Sequence, residues 1–153
     1  MDKQRRGVLK ATAVLAAAFV AGLVRPVAAL AAAWNKDAFS AKSTADALKS
    51  LGVAGAEASA AILIEAPQIA ENGAVVPIEV TSNLPGTSAI AVLIEKNPFP
   101  LAGKFDFMEG ALPFVKLNVK MGESSDVRVI AWAGGKQFVA AKEIKVTIGG
   151  CGG

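Results

Sequence analysis

Alternation with a period of two runs through the second half of the chain and restricts its fold more than any other feature. Val115, Leu117, Val119 and Met121 alternate with Lys116, Asn118 and Lys120, and Ile144, Val146 and Ile148 alternate with Glu143, Lys145 and Thr147. Successive side chains of an extended chain point to opposite faces, so each run predicts a strand with one buried and one wet face. Ile62-Leu63-Ile64 and Ile90-Ala91-Val92-Leu93-Ile94 are almost continuously apolar and predict more central strands; Val127-Arg128-Val129-Ile130-Ala131-Trp132 predicts another. Val75-Val76-Pro77-Ile78-Glu79-Val80 is also strand-like, but Pro77 has no N–H for a ladder, which moves this strand toward an edge or a bulge.

Turn signals separate these runs: Glu71-Asn72-Gly73, Asn83-Leu84-Pro85-Gly86, Asn97-Pro98-Phe99-Pro100, Met121-Gly122-Glu123-Ser124-Ser125 and Ala133-Gly134-Gly135-Lys136. Ahead of them, Trp34, Ala38, Ala41, Ala45 and Leu48 recur at spacings of four and three, which predicts one helix over about 36–50 with Gly52 closing it. Roughly seven short strands with no helices interleaved predict a mainly β fold, an immunoglobulin-like antiparallel β-sandwich with one N-terminal helix. Such a sandwich leaves edges that the helix or another subunit must cover. At 153 residues the chain suffices for one such domain, here 34–148.

Residues 1–33 are an address. Gln4-Arg5-Arg6-Gly7-Val8-Leu9-Lys10 has the layout of a twin-arginine export signal, in which Arg5 and Arg6 are the signature pair. An uncharged, Ala-rich stretch follows from Ala11 to Val24, too short for a comfortable membrane span and interrupted by Arg25 and Pro26. Ala29-Leu30-Ala31 and Ala31-Ala32-Ala33 both fit an A-x-A cleavage pattern, so the mature chain is expected to begin between Ala32 and Trp34, in the periplasm and free of the membrane. The address also carries the basic charge. Of 16 basic and 13 acidic side chains, five basic ones and one acid lie within it, leaving 11 against 12, so the body has no excess of cations for nucleic acid. The twin-arginine route carries folded cargo, which favours either a cofactor or a partner travelling with the chain.

Most chemistry is excluded by residue type. With no His and one Cys, neither a tetrahedral zinc site, a haem attachment pair nor an iron–sulfur ligand set can be assembled within the chain, so no cofactor and no metal are expected. A Ser-His-Asp triad and a Cys-His pair both lack their base. Gly134-Gly135-Lys136 is read as a hairpin turn, not a phosphate loop. Asp106 and Glu109 are read as solvated surface, and Trp132 as packing.

Cys151 remains, within Gly149-Gly150-Cys151-Gly152-Gly153. Glycine accepts nearly any backbone angle, so Gly149 and Gly150 predict a flexible arm, and Gly152 and Gly153 keep its tip slender. Three residues beyond a strand ending at Ile148 extend the sulfur by roughly 10 Å, enough to enter a narrow pocket. A free thiol of pKa ~8.5 is only a few per cent ionised at neutral pH, so activation is left to the site that receives it. An intermolecular disulfide or an incidental thiol is the plain alternative.

Together the twin-arginine layout, the small sandwich and the G-G-C-G-G motif resemble the SoxY family, the sulfur-carrier subunits of the periplasmic thiosulfate-oxidising Sox system. Ala74-Val75-Val76-Pro77-Ile78 after Asn72-Gly73 is also similar to that family. The resemblance implies a non-catalytic carrier in which Cys151 is the covalent attachment point. A haem-containing partner would load it with thiosulfate, a hydrolase would release sulfate, and a sulfane dehydrogenase or sulfur sink would process the persulfide left behind. It implies also a tightly paired SoxZ-like subunit exported as a passenger. Two other classes stay open: a ubiquitin-like carrier activated at its terminal carboxylate, and a structural or adhesive sandwich domain joined through an intermolecular disulfide.

Overall fold

Gly134 (φ 55°) and Gly135 (φ 77°) both adopt the left-handed backbone that a two-residue type I′ hairpin requires, and they join the two longest strands. The computed structural model describes residues 34–147. The export segment 1–33 with Arg5 and Arg6, and residues 148–153 with Ile148, Gly149, Gly150, Cys151, Gly152 and Gly153, lie outside the described residues.

Among the described residues, two short helices, α1 (Lys36–Ser40) and α2 (Thr44–Ser50), precede nine strands: β1 (Glu57–Ala58), β2 (Ile62–Glu65), β3 (Ile69–Ala70), β4 (Val76–Ser82), β5 (Thr87–Ile94), β6 (Leu101–Asp106), β7 (Phe114–Val119), β8 (Ser125–Ala133) and β9 (Lys136–Val146). The larger sheet has the order β1-β9-β8-β5-β6, with β3 also pairing β9; the smaller has the order β2-β4-β7. All pairings of the longer strands are antiparallel, as expected, while the two-residue strands β1 and β3 add short parallel pairings to β9.

The expected single helix is split. Ala41 is extended (ψ 137°), and Ser43 caps a new helix by accepting a hydrogen bond from the Asp46 amide. A serine oxygen that satisfies an otherwise unpaired amide favours a fresh start over continuation. The break also turns the second segment: Ala38 and Ala41 are buried as predicted, but Ala47 replaces Ala45 in the core, and Trp34 is 68% exposed.

Between the sheets lies a core that includes Val76, Ile78 and Val80 from β4, Ile90, Val92 and Ile94 from β5, and Val127 and Val129 from β8. On the opposite face of the larger sheet Ala91, Leu93, Leu101 and Ile130 pack with Ala38, Ala41 and Ala47 of the helical segment. Hence the unbroken apolar run 90–94: β5 is buried on both faces, by the small sheet on one side and the helices on the other. The helices therefore cover a face of the larger sheet, not an edge. Pro77 also departs from expectation. Its strand is the centre of the smaller sheet, but β2 pairs only with residues 79–82, so Pro77 stands beyond the reach of one neighbour and a missing N–H there costs little.

Candidate functional site

The described residues end at Thr147, where the predicted arm is attached, and several elements fix this root. On one side, β3 pairs with the end of β9, Ile69 with Lys145 and Ala70 with Val146. The Lys145 amide donates to the Gln68 carbonyl at 3.0 Å and the Thr147 amide to the Ala70 carbonyl at 3.2 Å. On the other side, Ser124 Oγ accepts from the Val146 amide at 2.9 Å and donates to the Val146 carbonyl at 3.5 Å. Each backbone group tied down in this way costs free energy to release, so the last residues of β9 are held in place.

Gly73 closes the same end of the sandwich. Its carbonyl accepts from the Met121 amide at 2.7 Å. A Cβ at this position would stand 2.3 Å from the Met121 carbonyl oxygen and 2.9 Å from Val146 Cγ1, so this loop can approach the root of the arm only as glycine. Asn72 holds the turn by accepting from the Ala74 amide at 2.9 Å. Across the end, Asn97 Nδ2 donates to the Lys120 carbonyl at 2.7 Å, and the buried Ser125 hydroxyl accepts from the Lys96 amide at 3.1 Å. Ile69 and Val75 are exposed here, as is Phe99 on the loop after β5.

Electrostatics at this end are mixed. Arg128 donates through Nε and Nη2 to Glu95 Oε1, both at 2.5 Å, and Lys96 pairs loosely with Glu123 at 3.7 Å. Cys151 lies four positions beyond Thr147, so its backbone can extend at most ~14 Å from that anchor. Any centre that acts on the thiol must come that near.

The side chains set aside by the sequence occupy ordinary structural positions. Trp132 packs on the helical segment, with Lys104 Nζ 5.7 Å from the centre of its ring. Asp106 pairs with Lys104, while Glu109 is exposed on the following loop, so the two carboxylates form no pair with each other that either ion contact supports. No group of three or more His, Cys, Asp or Glu able to hold a metal occurs among the described residues. Cys151 and its glycines, the site residues expected from the sequence, lie outside the described residues; the supports Ser124, Gly73 and β3 were not singled out by sequence reasoning. The Asn72-Gly73 turn was visible; its closeness to Val146 arises only from sheet pairing.

Comparison with known proteins gives a consistent result. The family model for "Sulfur oxidation protein SoxY" matches residues 48–151, a span that ends on Cys151. A solved structure, the sulfur carrier protein SoxY from Chlorobium limicola f thiosulfatophilum, is similar with 37% identity and a TM-score of 0.63, covering 68% of this chain and 96% of that one. A superoxide reductase (neelaredoxin) from Ignicoccus hospitalis is similar at 24% identity with a TM-score of 0.51, covering 56% of this chain and 80% of that one, a likeness of fold alone. No curated protein matches.

Proposed function

Since the chain belongs to the SoxY family of sulfur oxidation proteins, we propose that it is a sulfur carrier that holds its cargo covalently on Cys151. The observation that carries this reading is the family match running through to Cys151, on a segment whose root is braced from both sides at Val146. A fixed root and a short side-chain-free tether suit a group that must enter a partner's pocket while the body stays outside.

The chemistry proceeds in two steps. In loading, Cys151 gives up its proton and forms an S–S bond to the sulfane sulfur of thiosulfate, yielding cysteine S-thiosulfonate; the two electrons released pass to the haem-containing loading partner. In hydrolysis, water attacks the sulfonate sulfur, sulfate leaves with the water oxygen, and the electron pair of the broken S–S bond stays on a cysteine persulfide. The chain contributes the sulfur nucleophile and its presentation, and the catalytic groups belong to the partners. The persulfide is then passed to a sulfane dehydrogenase or to a sulfur sink.

Periplasmic location by the twin-arginine route, and stable pairing with a SoxZ-like subunit, belong to the same reading. They rest on Arg5-Arg6 and on the family. The test is Cys151→Ser in the native host: thiosulfate-dependent respiration is expected to stop while the protein accumulates folded and paired. Retained respiration would refute the proposal.

A further inference from the structure

β9 ends, and with it the root of the arm lies, at the end of the sandwich where Ile94 pairs Val127 and Ser125 pairs Ile144. At the opposite end, where Thr87 pairs Ala133 and Ala89 pairs Asp106, the chain runs from β6 to β7 through Phe107-Met108-Glu109-Gly110-Ala111-Leu112-Pro113. This loop is apolar yet open to solvent. Met108 is 86% exposed and Leu112 83%, and Glu109 is its one charged residue. The apolar surface continues on the outer face of the smaller sheet, where Leu63, Thr81 and Phe114 stand side by side across β2, β4 and β7, with Leu63 44% and Phe114 45% exposed. Beside the loop a cleft of about 430 Å³ opens between Phe107, Pro113 and the Leu84–Ser88 turn. Methionine and aromatic side chains with few charges are the composition of the centre of a protein interface, and single exposed apolar residues do not account for such continuity.

The length and exit point of the remaining chain decide what can cover this surface. From Lys136 to Val146, β9 runs about 30 Å, which separates the loop from the arm root. The six residues after Thr147 span at most ~21 Å, so the arm cannot fold back onto the loop. An enzyme drawn to Cys151 works at the other end, within ~14 Å of Thr147. A surface placed here suits a protein that stays bound while enzymes visit the arm in turn.

We propose that the 107–114 loop, with Leu63 beside it, is the docking surface for the permanently paired subunit of the carrier, through an apolar patch on that subunit. This rests on the pairing reading given above. The test co-expresses the exported, processed chain with the SoxZ-type subunit of the same host and measures the dissociation constant. Three forms are compared: wild type, the double variant Met108→Glu/Leu112→Glu, and Val75→Glu at the arm-root end. The substituted side chains are exposed, and unchanged circular dichroism checks the fold. The double variant is expected to weaken pairing at least about tenfold, with Val75→Glu close to wild type. Unweakened pairing in the double variant, or loss confined to Val75→Glu, would overturn the assigned surface and leave the pairing reading intact. Absence of a wild-type heterodimer would overturn the pairing reading itself. A wild-type homodimer that the double variant converts to monomer would assign the surface to a second copy and overturn the proposal.

Discussion

Ser124 and Val146 bind each other twice, the hydroxyl accepting from the Val146 amide at 2.9 Å and donating to its carbonyl at 3.5 Å. This one side chain fastens the β8-facing flank of the last strand near its end, opposite the flank that β3 holds. Ser124→Ala should therefore cost about 1 kcal/mol, and its effect should be local. Hydrogen exchange at the Val146 amide is expected to accelerate, with little change at Val129 in the centre of β8. Uniform acceleration across the sheet would show that Ser124 acts on global stability instead.

Gly73 braces the same root from the other direction. In Gly73→Ala the new methyl meets the Met121 carbonyl oxygen, a backbone atom with no freedom to move aside. Overpacking of this kind costs about 1–3 kcal/mol, measurable by urea denaturation. A stability equal to wild type would contradict the close approach.

Leu93 tests the three-layer arrangement. It is wholly buried and packs toward the helical segment, whereas its neighbour Val92 faces the core between the sheets. Leu93→Ala should cost about 2–5 kcal/mol. If the helices were a loose attachment the cost would fall below 1 kcal/mol.

Lys116 and Glu79 are direct cross-strand neighbours on β7 and β4, 2.5 Å apart. The hydrogen bond to Glu79, reinforced by its charge, raises the Lys116 pKa above its ordinary 10.5. A lysine whose pKa is raised by folding stabilises the fold at pH below the unfolded value, and that contribution fades as pH rises through the folded one. The stability difference between wild type and Glu79→Gln should thus be constant from neutral pH to about 10 and shrink at higher pH. Because the pair is solvent-exposed, added salt should also reduce it.

Much of the fold was legible because its signals are local. Val115 to Met121 alternate along a single strand, and Gly134-Gly135 makes its turn with two adjacent residues. What depends on distant partners was not legible. The spacing of Ala38, Ala41, Ala45 and Leu48 fits one helix as well as two, and the break follows from Ser43 capping a second start. Strand β6 contains Gly103 and Lys104 within its short run and has no clean period. Ile69 and Ala70 form a strand only because β9 lies beside them. At the candidate site, Cys151 stood out because no histidine or second cysteine competes with it for chemistry. Ser124 and Gly73 did not, since a serine and a glycine in turns become supports only once Val146 is brought against them.

The tether offers a prediction of its own. Deleting Gly149 and Gly150 shortens the reach of Cys151 by ~7 Å, about half the distance from Thr147. The proposed loading of Cys151 with thiosulfate should slow by tenfold or more, while the fold remains as in wild type. Replacing the two glycines by two serines, which preserves length, should restore most of the rate. Equal rates for all three would show that reach is irrelevant.

Mass spectrometry of the protein purified from its native host during growth on thiosulfate tests the central claim most directly, with peptide mapping of the C-terminal fragment. Thiosulfonate and persulfide adducts located on Cys151, absent after reduction, are the predicted result. An unmodified thiol, a disulfide dimer alone, or an adduct on the Gly153 carboxylate would contradict it.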